Sequence, residues 1–357
     1  MKKKDKIAIW AITPRGSDLS LRIAEKSPAA DLFFSQALVP SKDARVHRFA
    51  RLKEALEKRF RDYTAHIFIM STGIVVRMIA PLIRHKTQDP AVLVVDEKGR
   101  HVISLLSGHI GGANALALAV AEWIGADPVI TTATDVNQVP AVDVLAVEKG
   151  LFIENPGAIK SVNMALIKGD PILLHDPCGL LGELRDRGTV IPFGNRNGGT
   201  EGSLLANRPA GVFIDDVWAD LPENILVLRP PSLVAGIGCN RNTGVDELKG
   251  FLMDVMVRFG LSPGSLKGLA TIDIKADEAG LIALAKELDL PLQFFKKDAL
   301  NHVETVENPS TMVEKHTGAR SVCEAAAILG SNQGQLIVPK QKTGNVTVAI
   351  ARISFSS

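Results

Sequence analysis

The chain has 357 residues, with 41 basic and 39 acidic side chains, a formal charge of +2 and a pI near 8.4. With 46% hydrophobic and 22% charged residues it is neither a disordered chain nor a strongly basic one, and a single Tyr leaves little aromatic surface for stacking bases. The length exceeds one compact core and suits two or three domains.

In chain order, residues 7–12 read as a strand and 17–26 as a helix with Ser17 as N-cap. A helix is expected over 49–60, a strand over 66–70, and a short helix over 74–80 that Pro81 must end or kink. Residues 91–95 and 101–106 are apolar runs joined by Asp96-Glu97-Lys98-Gly99-Arg100, a hairpin signal. A helix apolar nearly all round covers 113–124, with Gly125 as its stop, and 129–132 reads as a strand. The middle is less regular. It has a helix over 156–168, strands over 172–175 and 211–215, a Gly/Asn-rich loop over 193–203 that could act as a lid, and a linker at Arg229-Pro230-Pro231. Strands are then expected over 233–237, 271–274 and 292–295, and helices over 245–259, 277–288 and 321–329. A closing hairpin uses 335–339 and 346–353. This alternation predicts an α/β fold, helices layered on sheets with some β-hairpins.

The three cysteines, Cys178, Cys239 and Cys323, show no CxxC or Cys/His spacing. No structural zinc is expected, Cys239 and Cys323 read as small buried residues, and the sparse, odd set suits a reducing compartment. The apolar run after the basic residues 1–6 is too short for a secretory segment, and no run approaches a membrane span. A cytoplasmic protein with no membrane partner is expected.

Four small-residue loops follow strands or enter helices: Ser71-Thr72-Gly73, residues 107–114, residues 131–135, and residues 236–244. Such loops offer backbone N–H groups and a positive dipole end to anions. Each alone reads better as a tight turn; together, with their hydroxyls, they point to a polyanionic or multiply carboxylated ligand. His109, between Gly108 and Gly111-Gly112, is a candidate base near neutrality, or else a helix-capping histidine. Asp135 could orient His109, accept a proton, or cap a turn. Ser107 is a weak nucleophile candidate because no GxSxG elbow is present. Thr72 and Thr132 read as hydrogen-bond donors. Gly236-Ile237-Gly238 lacks the third glycine of the dinucleotide fingerprint, and no phosphate-binding GxxxxGK[ST] occurs, which disfavours nicotinamide and ATP cofactors. Lys275 could clamp a carboxylate or be a solvated lysine, and Glu324 could be a first-turn dipole partner.

Four segments together are specific: Ser71-Thr72-Gly73-Ile74-Val75-Val76-Arg77; Lys86-Thr87-Gln88-Asp89-Pro90-Ala91-Val92; Ser104-Leu105-Leu106-Ser107-Gly108-His109-Ile110-Gly111-Gly112-Ala113-Asn114; and Ile130-Thr131-Thr132-Ala133-Thr134-Asp135. They resemble the amino-terminal part of the CbiG family, the cobalt-precorrin-5A hydrolases of anaerobic cobalamin biosynthesis. Gly236-Ile237-Gly238-Cys239, Ile272-Asp273-Ile274-Lys275 and Ser321-Val322-Cys323-Glu324-Ala325-Ala326 look like its carboxyl-terminal domain. The resemblance implies an amino-terminal domain over 1–138, a central domain over 139–229 and a carboxyl-terminal domain over 230–357. It implies a cobalt-bearing, ring-contracted tetrapyrrole as substrate, whose δ-lactone is opened by water with release of acetaldehyde to give cobalt-precorrin-5B. The cobalt would arrive with the substrate, so no cofactor is expected. A homodimer is compatible with the sequence. On residue chemistry and position, the candidate catalytic set is His109, Asp135 and Thr132. Candidate substrate-binding residues are Ser71, Thr72, Gly73, Arg77, Ser107, Gly108, Gly111, Gly112, Asn114, Thr131, Gly238, Lys275 and Glu324. The competing class is a corrinoid carrier without chemistry of its own.

Overall fold

The computed structural model describes residues 6–85, 88–185, 190–192, 209–303 and 322–354. The loop expected over 193–203 lies outside the described residues, as do Lys86, Thr87 and Ser321 of the motifs. The chain divides into two compact units, residues 2–144 and 145–357.

The first unit is a seven-stranded sheet of β1 (Ile7–Ala11), β2 (Asp31–Ser35), β3 (Val46–Phe49), β4 (Ala65–Ile69), β5 (Ala91–Val95), β6 (His101–Leu106) and β7 (Asp127–Val129), in the order β3-β2-β1-β4-β5-β6-β7. The first five strands are mutually parallel. The hairpin between β5 and β6 reverses the chain, and β7 runs parallel to β6. The last two strands therefore point opposite to the other five.

Strands covered on both faces need apolar residues at nearly every position, and β4 and β5 are buried throughout. Ile9, Leu32, Ile67 and Leu93 pack on one face with Ile23 of the helix Pro14–Lys26 and Val120 of the helix Ala113–Ile124. Trp10, Phe33, Phe68 and Val94 pack on the other with Leu56 of Leu52–Arg59 and Ile79 of Thr72–Ile79. The first helix starts earlier than expected. Thr13 rather than Ser17 is its N-cap, its side chain accepting from the Gly16 N–H, with Pro14 in the first turn where a missing N–H costs nothing. Residue 49 belongs to β3, so the second helix is shorter than the apolar spacing suggested.

Within the aromatic face, His66 is wholly buried and stacks on Phe60 at 5.0 Å. Its Nδ1 accepts from Trp10 Nε1 at 3.0 Å, and its Nε2 lies 3.0 Å from the Phe60 carbonyl, which fixes Nε2 as the protonated nitrogen. Burial pushes its pKa down to about 4, against the opposing pull of the Phe60 carbonyl.

The second unit holds two five-stranded sheets. One comprises β8 (Phe152–Ile153), β9 (Ile172–His175), β10 (Val190–Pro192), β11 (Gly211–Ile214) and β12 (Ile225–Arg229), in the order β10-β9-β11-β12-β8, with only β8 antiparallel. The other comprises β13 (Leu233–Cys239), β14 (Leu266–Ile272), β15 (Leu292–Phe295), β16 (Gln335–Lys342) and β17 (Val346–Arg352), in the order β15-β14-β13-β17-β16. β13, β14 and β15 are parallel, and β17 and β16 close the sheet as a hairpin. The expected linker at Arg229 instead ends a strand. Arg229 is buried, with bonds to Glu154 and to the carbonyls of Asp215 and Val217.

Gly236 and Gly238 lie inside β13, not in a ligand loop. A side-chain carbon at Gly236 would stand 1.9 Å from the Cys323 carbonyl oxygen. The glycine is there so that the buried, alanine-rich helix Cys323–Gly330 can press against the strand.

Candidate active site

The direction of β6 and β7 decides which loops can meet. In this sheet the ends of β6 and β7 lie beside the amino-terminal ends of β4 and β5: Leu106 pairs with Val92, and Ser107 Oγ donates to the Asp89 carbonyl at 3.0 Å. The Ser71-Thr72-Gly73 turn follows the carboxyl end of β4, five residues away along the strand. At about 3.3 Å per residue the two edges are roughly 15 Å apart. The expectation that these loops gather round one ligand therefore fails within this sheet. Ser107 to Asn114 and Thr131 to Asp135 share one edge, and Ser71, Thr72, Gly73 and Arg77 sit at the other.

At the first edge the loop is tightly wound. Ser107 has a left-handed φ of 58° and Gly112 one of 83°. The N–H groups of Gly112, Ala113 and Asn114 donate to the carbonyls of His109, Ser107 and Gly108. The Gly112 N–H, in a loop expected to offer its N–H groups to an anion, is thus already spent. A side-chain carbon at Gly111 would stand 2.3 Å from Ser107 Cβ, so only glycine closes this turn. The turn carries His109 outward and starts the helix at Ala113. Ser107, expected as a weak nucleophile, directs its hydroxyl to the Asp89 carbonyl.

Asn114, buried in the first helical turn, ties the two loops together. Its Nδ2 donates to Thr132 Oγ1 at 2.7 Å and to Asp135 Oδ2 at 3.0 Å, while its Oδ1 accepts from Ser104 Oγ at 2.7 Å. His109 lies against this pair. Its Nε2 is 3.2 Å from Asp135 Oδ2 and 3.0 Å from Thr134 Oγ1. Its Nδ1 is 3.3 Å from Asp143 Oδ2. Asp143 belongs to the helix Val142–Glu148 and was not among the expected residues. His109 and Asp143 side chains are 16% and 7% exposed, while Asp135 is 38% exposed and faces solvent. The hydrogen bond to Asp143 raises the His109 pKa above its ordinary value, and Asp135 adds to it, against a partial loss from burial. Thr131 is exposed beside this cluster and Thr132 half-buried within it.

At the opposite edge Ser71 and Thr72 line a cleft of about 420 Å³ with Thr13, Asp96 and apolar side chains. Arg77 is exposed, and its guanidinium donates to the Gly73 carbonyl of its own helix at 3.0 Å.

The remaining candidates belong to the carboxyl-terminal sheet. Gly238 faces Thr347, whose hydroxyl donates to the Gly238 carbonyl at 3.2 Å. Lys275 is buried and paired with buried Glu278 at 3.3 Å, so it is neither a solvated lysine nor an uncommitted clamp. Glu324 is fully buried in the first turn of its helix and accepts from the Lys340 N–H at 2.8 Å. No group of three or more His, Cys, Asp or Glu side chains arranged to hold a metal occurs among the described residues. No helix among them is long and apolar enough to cross a membrane.

A mixed α/β chain with a glycine-turned histidine between carboxylates matches three family models in succession. These are the Cobalamin synthesis G N-terminal model over residues 54–135, the Cobalamin biosynthesis central region over 140–230 and the Cobalamin synthesis G C-terminus over 233–351. The chain belongs to this cobalamin synthesis G family. It is 37% identical over 352 residues to the cobalt-precorrin-5A hydrolase of Salmonella typhimurium, covering 98% of each chain. It is 32% identical over 356 residues to the cobalt-precorrin-5A hydrolase of Priestia megaterium, covering 98% of this chain and 95% of that one. A crystal structure of CobE, a protein from the cobalamin biosynthetic pathway, is 34% identical and matches 36% of this chain and 94% of its own, with a TM-score of 0.34.

Proposed function

We propose that this chain is a cobalt-precorrin-5A hydrolase of anaerobic cobalamin biosynthesis, opening the δ-lactone with water and releasing acetaldehyde to give cobalt-precorrin-5B. The observation that carries this reading is the match to two proteins of that name over 98% of the chain. The cobalt is cargo of the substrate, and the protein works in the cytoplasm without a cofactor of its own, alone or as a homodimer.

The reaction balances in two stages. Water adds to the lactone carbonyl and the acyl–oxygen bond breaks, leaving a carboxylate and a hydroxyethyl arm. The O–H proton of that arm then leaves, its electron pair forms the aldehyde C=O, and the carbon–carbon bond to the ring breaks. The bonding pair passes into the conjugated macrocycle, which is free to take up a proton. His109 is the proton-transfer group: it activates the water or protonates the departing lactone oxygen. Such catalysis is worth about 10²- to 10⁴-fold. The Thr132 hydroxyl, which accepts from Asn114, and the exposed Thr131 hydroxyl donate to the developing oxyanion. Asp135 orients the imidazole.

Anaerobic incubation of the whole chain with cobalt-precorrin-5A, with an assay for acetaldehyde, tests the reading. Stoichiometric aldehyde is expected. A shifted corrinoid spectrum with the lactone still closed would make the protein a carrier.

A further inference from the structure

We propose that Asp143 is the positioning residue that holds His109 as imidazolium, so that His109 enters lactone opening as an acid and not as the group that activates water. This rests on the hydrolase reading for the reaction, but not for the state of the imidazole.

A neutral imidazole has one N–H and one lone pair. His109 presents Nδ1 to Asp143 at 3.3 Å and Nε2 to Asp135 at 3.2 Å. With only one proton, either the Nε2 lone pair would face Asp135 even while taking the Thr134 hydroxyl 3.0 Å away, or the Nδ1 lone pair would face buried Asp143. Two protons satisfy both sides. Asp143 is the stronger influence because it is nearly wholly buried, where an ionised carboxylate needs an opposite charge beside it. Asp135 is more exposed, and its Oδ2 also accepts from Asn114 and Thr134. These two carboxylates are the charged groups that influence the ring.

The asymmetry divides the work. The Nδ1 proton stays with buried Asp143. The Nε2 proton faces the exposed side, where a departing lactone oxygen can take it as the acyl–oxygen bond breaks. His109 is then a neutral imidazole still anchored through Nδ1–H. The Nε2 lone pair can accept the proton of the hydroxyethyl arm when the carbon–carbon bond breaks, and the ring ends as it began. Starting protonated, one residue serves both stages and returns to its initial state. Asp143 lies outside the amino-terminal family segment, within the stretch matched by the central-region model.

The test reads the imidazole directly. The His109 ring C–H signal, identified by its loss in His109→Gln, is titrated by NMR in the full chain and in Asp143→Asn and Asp143→Glu. In the parent the midpoint is expected well above the ordinary histidine value of about 6.5. In Asp143→Asn it is expected to fall by about one pH unit or more, with Asp143→Glu between them. In the acetaldehyde assay the alkaline limb of kcat should move down by the same amount, with KM unchanged. A parent midpoint at or below about 6.5, or no movement in Asp143→Asn, overturns the proposal. If Asp143→Asn does not fold, the parent midpoint and Asp143→Glu decide. If the midpoints move as expected but the parent releases no acetaldehyde, the hydrolase reading fails and the assignment of Asp143 to the ring stands.

Discussion

His66 lies in a strand of the first sheet and His109 in a loop at its edge, and their surroundings push their pKa values in opposite directions. His66 sits under the aromatic face, hydrogen-bonded only to neutral groups, the Trp10 indole and the Phe60 carbonyl, and is held neutral. His109 sits at the sheet edge between two carboxylates, and its charged form is favoured. Burial opposes the charge at both sites. It wins where no countercharge is near and loses where Asp143 accepts a hydrogen bond from the ring. The residue type says nothing about which outcome applies; the partners decide. A histidine that stays neutral to about pH 4 serves the fold, and one poised to exchange a proton serves chemistry.

The sharpest way to break the comparison is to remove each ring. His109→Ala should lower acetaldehyde release by about 10²- to 10⁴-fold while substrate still binds. Lactone opening at the parent rate would remove His109 from the mechanism.

His66 should instead appear in stability. Its unfolded form takes a proton near pH 6.5 and its folded form only near pH 4. Between those values the unfolded chain binds more protons, so stability is lost as pH falls, by about 3 kcal/mol in all. Urea unfolding of the first unit, followed by hydrogen exchange in β1 and β4, should show this loss in the parent. It should be largely absent in His66→Phe, which starts lower because Trp10 and Phe60 lose a partner. The same acid dependence in both would show that other groups set it. His109 has the reverse sign. Its pairing stabilises the fold below pH 6.5 and is lost as pH rises through its raised value.

A smaller effect is expected at the loop that carries His109. Gly111→Ala places a carbon against Ser107 and should cost roughly 1–3 kcal/mol, through a shifted turn rather than a lost proton. Its kcat should fall without any change in the His109 midpoint. A midpoint that moved would mean that the turn, and not Asp143, sets the charge.

Much of this was legible in the residues. Apolar runs marked most of the parallel strands, and glycine and hydroxyl clusters marked the loops that hold His109, Thr132 and Asp135. β2 and β3 carry weak signals because Asp31-Leu32-Phe33-Phe34-Ser35 has only three apolar positions in a row and Val46-His47-Arg48-Phe49 is a half-polar edge strand. The reversal of β6 is readable from Asp96-Glu97-Lys98-Gly99-Arg100, and it sets which edge each loop reaches. A hairpin sends the next loop to the far end of the sheet, so residues 107–114 could not join Ser71. Gly236 looked like a ligand loop because strand glycines that admit a helix resemble turn glycines in a string of letters. Asp143 carried no signal. It follows a segment without motif, and its meeting with His109 depends on how the chain returns after Asn137.

That separation of the edges leads to the smallest expected effect. Arg77 is exposed and already bonded to the Gly73 carbonyl, so any pairing with a substrate carboxylate is solvent-screened. Arg77→Glu should raise KM by no more than about fivefold, less at higher salt. The alkaline limb of kcat should stay where Asp143 puts it, because the field of an exposed charge decays over roughly 10 Å at 0.1 M salt. The far edge of the sheet lies beyond that reach. If Arg77→Glu shifted the limb as Asp143→Asn does, the state of His109 would be set by the charge of the whole unit. The contrast with His66 would then lose its basis in local partners.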